Sequence, residues 1–115
     1  MIQKGTKLEI VDNTGALIGK CIEVYGRKTG KLGSKILLSI KEEEYSMSGK
    51  WKGTKQLGII TMISSIGGSN QCVLIKEASS TEIELLGTTI KDPIGKELER
   101  VKGLEKLVEL GEEHI

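Results

Sequence analysis

The sequence predicts a mainly β fold: a small barrel of about six short strands, with one or two short helices at its C-terminal end. Three observations carry this. Glycine supplies 15 of the 115 residues, roughly twice the usual ~7%, while proline occurs once and phenylalanine never, which favours short elements joined by tight turns. Apolar residues recur with a period of two in short runs separated by turn signals. Past Asp92-Pro93 the period lengthens to that of a helix.

A chain of 115 residues is expected to form one domain, 1–115, burying somewhat under ~70% of its unfolded surface without a metal or disulfide staple. Leu8 and Ile10 alternate with Lys7, Glu9 and Val11 and read as a half-buried strand, with Leu17 to Tyr25 as its partner. Asp12-Asn13-Thr14-Gly15 joins them as a turn: Asn13 and Gly15 suit unusual backbone angles, and Asp12 can hydrogen-bond its own loop. Gly26 to Lys35, "GRKTGKLGSK", is a basic glycine-rich loop.

Ile36, Leu38 and Ile40 alternate again and fade into Lys41-Glu42-Glu43-Glu44. "YSMSGKWKGTK", Tyr45 to Lys55, has neither period and reads as a loop or edge ribbon. Leu57 to Ile63, more uniformly apolar, reads as a central strand. Gly67-Gly68-Ser69-Asn70 is a hairpin signal and Cys72 to Ile75 the returning strand. Closing such strands into a barrel removes exposed edges. Asp92 can cap a helix that Pro93 begins, Ile94, Leu98 and Val101 give it one apolar face, and Leu104, Leu107 and Val108 suggest a second helix ending near Gly111. The helical segment thus spans about 92–111.

Catalytic chemistry is poorly served. The sole histidine is His114, and Glu42 to Glu44 form a run whose side chains on a strand end would point to opposite faces. Gly26 to Lys31 has the wrong spacing for a phosphate loop, and the Gly53 to Gly58 pair is followed by Ile59 rather than lysine. No catalytic residue, metal site or cofactor is expected, and the reading is non-enzymatic. Cys21 and Cys72 sit among aliphatics and read as buried free thiols. The apolar runs are too short to span a membrane, and no leader precedes the first patterned segment, so a soluble protein without a membrane partner is expected.

Charge is uneven. Residues 1–60 carry 11 basic and 6 acidic residues, net +5; residues 61–115 carry 6 and 10, net −4. Lys20, Arg27, Lys28, Lys31 and Lys35 cluster in or beside the first glycine-rich loop, and Lys50, Lys52 and Lys55 in the second. Such cations release counterions from a polyanion without reading its sequence. Aromatics are limited to Tyr25, Tyr45 and Trp51, too few for a single-strand stacking platform, so a nucleic-acid ligand would be structured RNA held by its backbone. Trp51, between Lys50 and Lys52, is expected to be buried against the barrel rather than stacked on a base.

Several segments, in order, resemble protein number fourteen of the large ribosomal subunit. They are "MIQ" at the start, "DNTGA" (Asp12 to Ala16), "CIEV" (Cys21 to Val24), "GSKILLSIKE" (Gly33 to Glu42), "GKWK" (Gly49 to Lys52), "NQCVLI" (Asn70 to Ile75) and "GTTIKDPIGKEL" (Gly87 to Leu98). The similarity covers nearly the whole chain. It implies a small five-stranded β-barrel with a C-terminal helical segment that sits on large-subunit rRNA at the subunit interface. It further implies contact with protein nineteen of the large subunit, a bridge to small-subunit rRNA, and docking of a ribosome-silencing factor. The implied role is structural.

Departures from the family pattern are informative. Where relatives carry a long arginine-rich hairpin with a PDGS turn, "TMISSIGGSN" is short and uncharged; Leu17, Ile18 and Thr89 stand at positions of family arginines, and Lys96 at another. Each lost cation weakens a phosphate contact. This erosion points to an organellar, mitochondrial member, with a plastid or bacterial cytoplasmic one as the alternative. RNA contact is expected at Lys7, Asn13, Thr14, Lys20, Arg27, Lys28, Lys31, Lys50, Lys52 and Lys55, with Lys96 and Arg100 secondary. The glutamate-rich C-terminal face is expected to meet solvent or protein. The alternative reading is a protein-binding barrel module in another assembly whose RNA surface has decayed.

Overall fold

The computed structural model describes residues 2–64, 69–77 and 83–87. Among the described residues six strands lie in one antiparallel run: β1 (Lys7–Ile10), β2 (Ala16–Val24), β3 (Lys35–Glu43), β4 (Lys55–Met62), β5 (Gln71–Glu77) and β6 (Ile83–Leu85). A parallel pairing of β1 with β5, Glu9 to Gln71 and Ile10 to Cys72, closes the first five into a barrel. The mainly β fold with a closed five-stranded barrel is as expected. The helical segment expected over 92–111, and the Gly67-Gly68 part of the expected hairpin, lie outside the described residues.

Alternation explains the elements. In β1 the exposed Lys7 and Glu9 interleave with buried Leu8 and Ile10, and in β3 Ile36, Leu38 and Ile40 are all buried. β4 loses that alternation only in its middle, where the neighbours Ile59 and Ile60 are both buried, while Lys55 is exposed and Leu57 half-buried. The core joins Ile2, Leu8, Ile10, Ala16, Cys21, Ile36, Leu38, Ile40, Ile60, Cys72 and Leu74. A bore closed by five strands is narrow, and aliphatic side chains fill it without phenylalanine. Leu38 lies across Gly58 so closely that a Cβ there would stand 2.8 Å from its Cδ1, so glycine on β4 makes room for the leucine opposite. Fully burying Leu38 contributes about 1.5–3 kcal/mol.

Two features were not foreseen. Ile2, fully buried, forms an antiparallel bridge with Gly30 and tucks the N-terminal end under the β2–β3 loop. Residues Ile83–Leu85 add β6 beside β5, so one edge of β5 serves two partners: Gln71 and Cys72 pair with β1, while Ile75 to Glu77 pair with β6. Three residues of alternation are too few to stand out from a glutamate-rich neighbourhood.

Candidate nucleic-acid interface

The turn between β1 and β2 is built from the inside. Asp12 is buried; its Oδ1 accepts from Thr14 N at 3.2 Å and Thr14 Oγ1 at 2.6 Å, and its Oδ2 accepts from Leu74 N at 2.8 Å. Gly15 takes φ +98, with Met47 packed where a side chain would stand. Asn13 is exposed and does not adopt a left-handed backbone, so Gly15 alone supplies the unusual angle expected of both.

The β3–β4 loop docks on this turn. Glu44 N donates to Gly15 O at 2.8 Å, Trp51 Nε1 donates to Thr14 O at 2.9 Å, and Trp51 N donates to Glu43 Oε2 at 2.9 Å. Trp51 also packs against the core, as expected. Thr14, a predicted contact, is therefore half-buried, its hydroxyl committed to Asp12 and its carbonyl to Trp51. Of the two turn residues expected at RNA, Asn13 is the one facing outward.

The predicted cations fall into three places. Arg27, Lys28 and Lys31 are in the loop between β2 and β3, at one end of the barrel; Arg27, Lys28 and Lys31 are exposed. Lys50 and Lys52 are in the β3–β4 loop at the other end, where the Lys50 ammonium lies 5.1 Å from the Trp51 ring centroid. Lys52 lines a groove of about 520 Å³ with Glu42, Glu43, Glu44 and the fully exposed Tyr45. The three glutamates thus share one groove rather than opposite faces, because β3 ends at Glu43 and Glu44 turns into the 3-10 turn Tyr45–Met47.

The third place is the barrel wall. Lys7 pairs with Lys20, Lys20 with Ser39, and Ser39 with Lys55, aligning the four across β1 to β4. Sequence proximity had grouped Lys20 with the first loop and Lys55 with the second; strand register groups both with Lys7. Ser39 was not anticipated, since only the register reveals it. Lys35 is occupied elsewhere: its ammonium pairs with Glu77 and lies 4.9 Å from the Tyr25 ring centroid. Lys96 and Arg100 lie outside the described residues.

Beside the wall, Leu17 and Ile18 line an apolar groove of about 440 Å³ with Lys7, Glu9, Ser69 and Asn70. Cys21 and Cys72 are free and buried, and burial pushes both thiols up; the Asp12 charge adds to this at Cys72. Among the described residues no group of three or more His, Cys, Asp or Glu side chains is placed to hold a metal ion.

Fold and surface together define a small closed β-barrel that presents cations on its wall and its loops. The chain belongs to the ribosomal protein L14p/L23e family, whose family model it matches over residues 1–115. That family is a structural one of the large ribosomal subunit, not an enzyme family, and membership places the chain among ribosomal RNA and protein partners in the ribosome.

Proposed function

We propose that this protein binds large-subunit rRNA at the subunit interface and contributes to a bridge with small-subunit rRNA. The family match along the whole chain carries this reading. The exposed cations at both ends of the barrel and on its wall support it, because affinity for RNA backbone comes from such charges. Protein nineteen of the large subunit and a ribosome-silencing factor are the protein partners in this reading. Its ribosome is mitochondrial: at a net charge of +1 the chain relies on protein neighbours where more basic relatives rely on RNA. Arg27, Lys28 and Lys31 are the RNA contacts at one end of the barrel, and Asn13 at the other, where Lys50 and Lys52 contribute through a mixed-charge surface.

One observation favours a partly protein-facing role. Leu17 and Ile18 are half-buried along an apolar groove, where arginines would bind phosphate. A barrel module held chiefly by protein contacts is the second reading.

Sedimentation of a lysate in a sucrose gradient, with sequencing of the co-migrating RNA, tests the proposal. The protein is expected in the large-subunit peak of mitochondrial ribosomes. Its absence from every large-subunit peak overturns the ribosomal role, and its presence only in plastid or bacterial particles overturns the compartment.

A further inference from the structure

The cross-strand row on the barrel wall has an energetic peculiarity. Lys7 and Lys20 are direct antiparallel partners, both exposed, so two ammonium-bearing side chains leave the sheet with Cβ atoms about 5 Å apart. Like charges directly opposite destabilise a sheet, and an alternating Lys–Glu pair would be the favourable choice. Lys55 extends the row on β4, with the half-buried Ser39 hydroxyl in between. None of the three lysines makes an ion pair among the described residues, whereas Lys35 pairs with Glu77 and Lys76 with Glu84. A bound polyanion would offset the repulsion within this row.

The neighbouring rows say how that molecule lies. On one side of the lysines lie Glu9, Ile18 and Glu42, with the exposed Lys41 in the β3 irregularity between Ile40 and Glu42; on the other lie the exposed Glu23 and its partner Leu37, half-buried like Leu57 beside it. Glu9 and Glu42 on one flank and Glu23 on the other disfavour an anion beside the row, and Lys41 adds a cation at its edge. Measured along the curved sheet at about 4.8 Å per strand, Lys7 to Lys55 is a path of about 14 Å, which a polyanion crossing the strands would follow around the wall. No aromatic side chain belongs to the row, so it offers bases nothing to stack on and addresses a backbone. Because the ladder holds each Cα in place, these lysines are better pre-organised than those of the two loops.

We infer that Lys7, Lys20 and Lys55, with Ser39, form a phosphate-binding track for the backbone of structured RNA across the outer wall of the barrel. The inference rests on the rRNA-binding reading and names the surface that carries it.

The test measures binding of the full-length chain to a fluorescently labelled generic RNA duplex by anisotropy, between 50 and 200 mM KCl. The K7Q/K20Q/K55Q variant is expected to bind at least tenfold more weakly at 50 mM KCl. The slope of log affinity against log salt should shrink by about two to three, roughly one for each lost phosphate contact. A charge-matched control, K4Q/K35Q/K76Q, is expected to lose less than threefold, and K7R/K20R/K55R to retain affinity. The melting temperature of the glutamine row variant should equal or exceed that of the parent, since it relieves the Lys7–Lys20 repulsion. Equal losses in the row and control variants would overturn the track, as would failure of the arginine variant to bind in a folded state. A separate arm follows tagged chains into particles on a gradient. A parent chain outside the large-subunit peak overturns the ribosomal reading, whereas a row variant entering that peak as efficiently as the parent overturns the track alone.

Discussion

The Asp12 carboxylate accepts the backbone amide of Leu74 at 2.8 Å, at the point where one edge of β5 passes from β1 to β6. β1 ends at Ile10, and Val11 N still donates to Cys72 O at 3.0 Å. One step further on, Asp12 offers its side chain instead of a main-chain carbonyl, while Leu74 O accepts from Leu86 N at 3.1 Å. The carboxylate thus completes the ladder at the change of partner and, through Thr14, shapes the turn that carries the β3–β4 loop.

Removing that carboxylate leaves a buried amide without an acceptor. Asp12→Ala is expected to cost about 2–4 kcal/mol, combining the stranded Leu74 N–H with the lost Thr14 bonds. Asp12→Asn keeps one carbonyl oxygen and should cost about half as much. Urea denaturation checks both: the midpoint should fall in that order with an unchanged m-value. An Asp12→Ala midpoint equal to the parent's would show that the ladder does not depend on the carboxylate.

Gly15 is constrained twice, by its backbone and by its neighbour. At φ +98 any L side chain is strained, and a Cβ would stand 2.5–2.9 Å from the Met47 side chain. Gly15→Ala is expected to destabilise by about 2–3 kcal/mol. Met47 is flexible, so Gly15→Ala combined with Met47→Ala should recover the steric part and leave the backbone part, about 1–2 kcal/mol. A double-mutant cycle in urea measures the split, and strict additivity would exclude the Met47 clash.

Much of the fold is legible before any coordinates. Leu8 and Ile10, and Ile36, Leu38 and Ile40, report their strands through alternation, because a strand with one face in the core must alternate. The apolar block from Leu57 reports a strand whose middle, at Ile59 and Ile60, is buried at successive positions. Closure is less legible: it depends on Ile10 meeting Cys72 in parallel and on Ile2 bridging Gly30, pairings between residues distant in sequence. The site shows the same division. That the cations matter can be read from composition; which of them stand together cannot, since Lys7, Lys20 and Lys55 become neighbours only through strand register. The motif reads Thr14 as an RNA contact, whereas Asp12 takes its amide and hydroxyl and Trp51 its carbonyl, bonds that the sequence does not display.

Trp51 belongs to the scaffold. Its indole N–H is bonded to Thr14 O, its ring packs on the core, and Lys50 covers it at 5.1 Å. RNA binding should therefore leave its emission largely unquenched, in contrast to a stacked tryptophan. Trp51→Phe is expected to cost about 1–2 kcal/mol from the lost hydrogen bond and contact area, with affinity for an RNA duplex changed less than twofold. Strong quenching on addition of RNA, together with a large loss of affinity in Trp51→Phe, would make the ring a base contact instead.

The buried thiols make stability fall at alkaline pH. Burial raises the pKa of both Cys21 and Cys72, so the folded protein holds thiol protons that the unfolded chain releases once pH passes the ordinary thiol value of 9.0. Stability from these groups is complete below that value and declines above it, because there the folded state binds more protons. Cys72 alone should lose roughly 1 kcal/mol between pH 9 and pH 10. Urea midpoints at pH 8, 9 and 10 measure the decline, and Cys72→Ala should flatten it relative to the parent. Thiol reagents should leave Cys72 unmodified in the native protein and label both cysteines in urea, since modification requires the barrel to open. Rapid native labelling of Cys72, or an identical alkaline slope in Cys72→Ala, would show that the thiol is not sealed in the core.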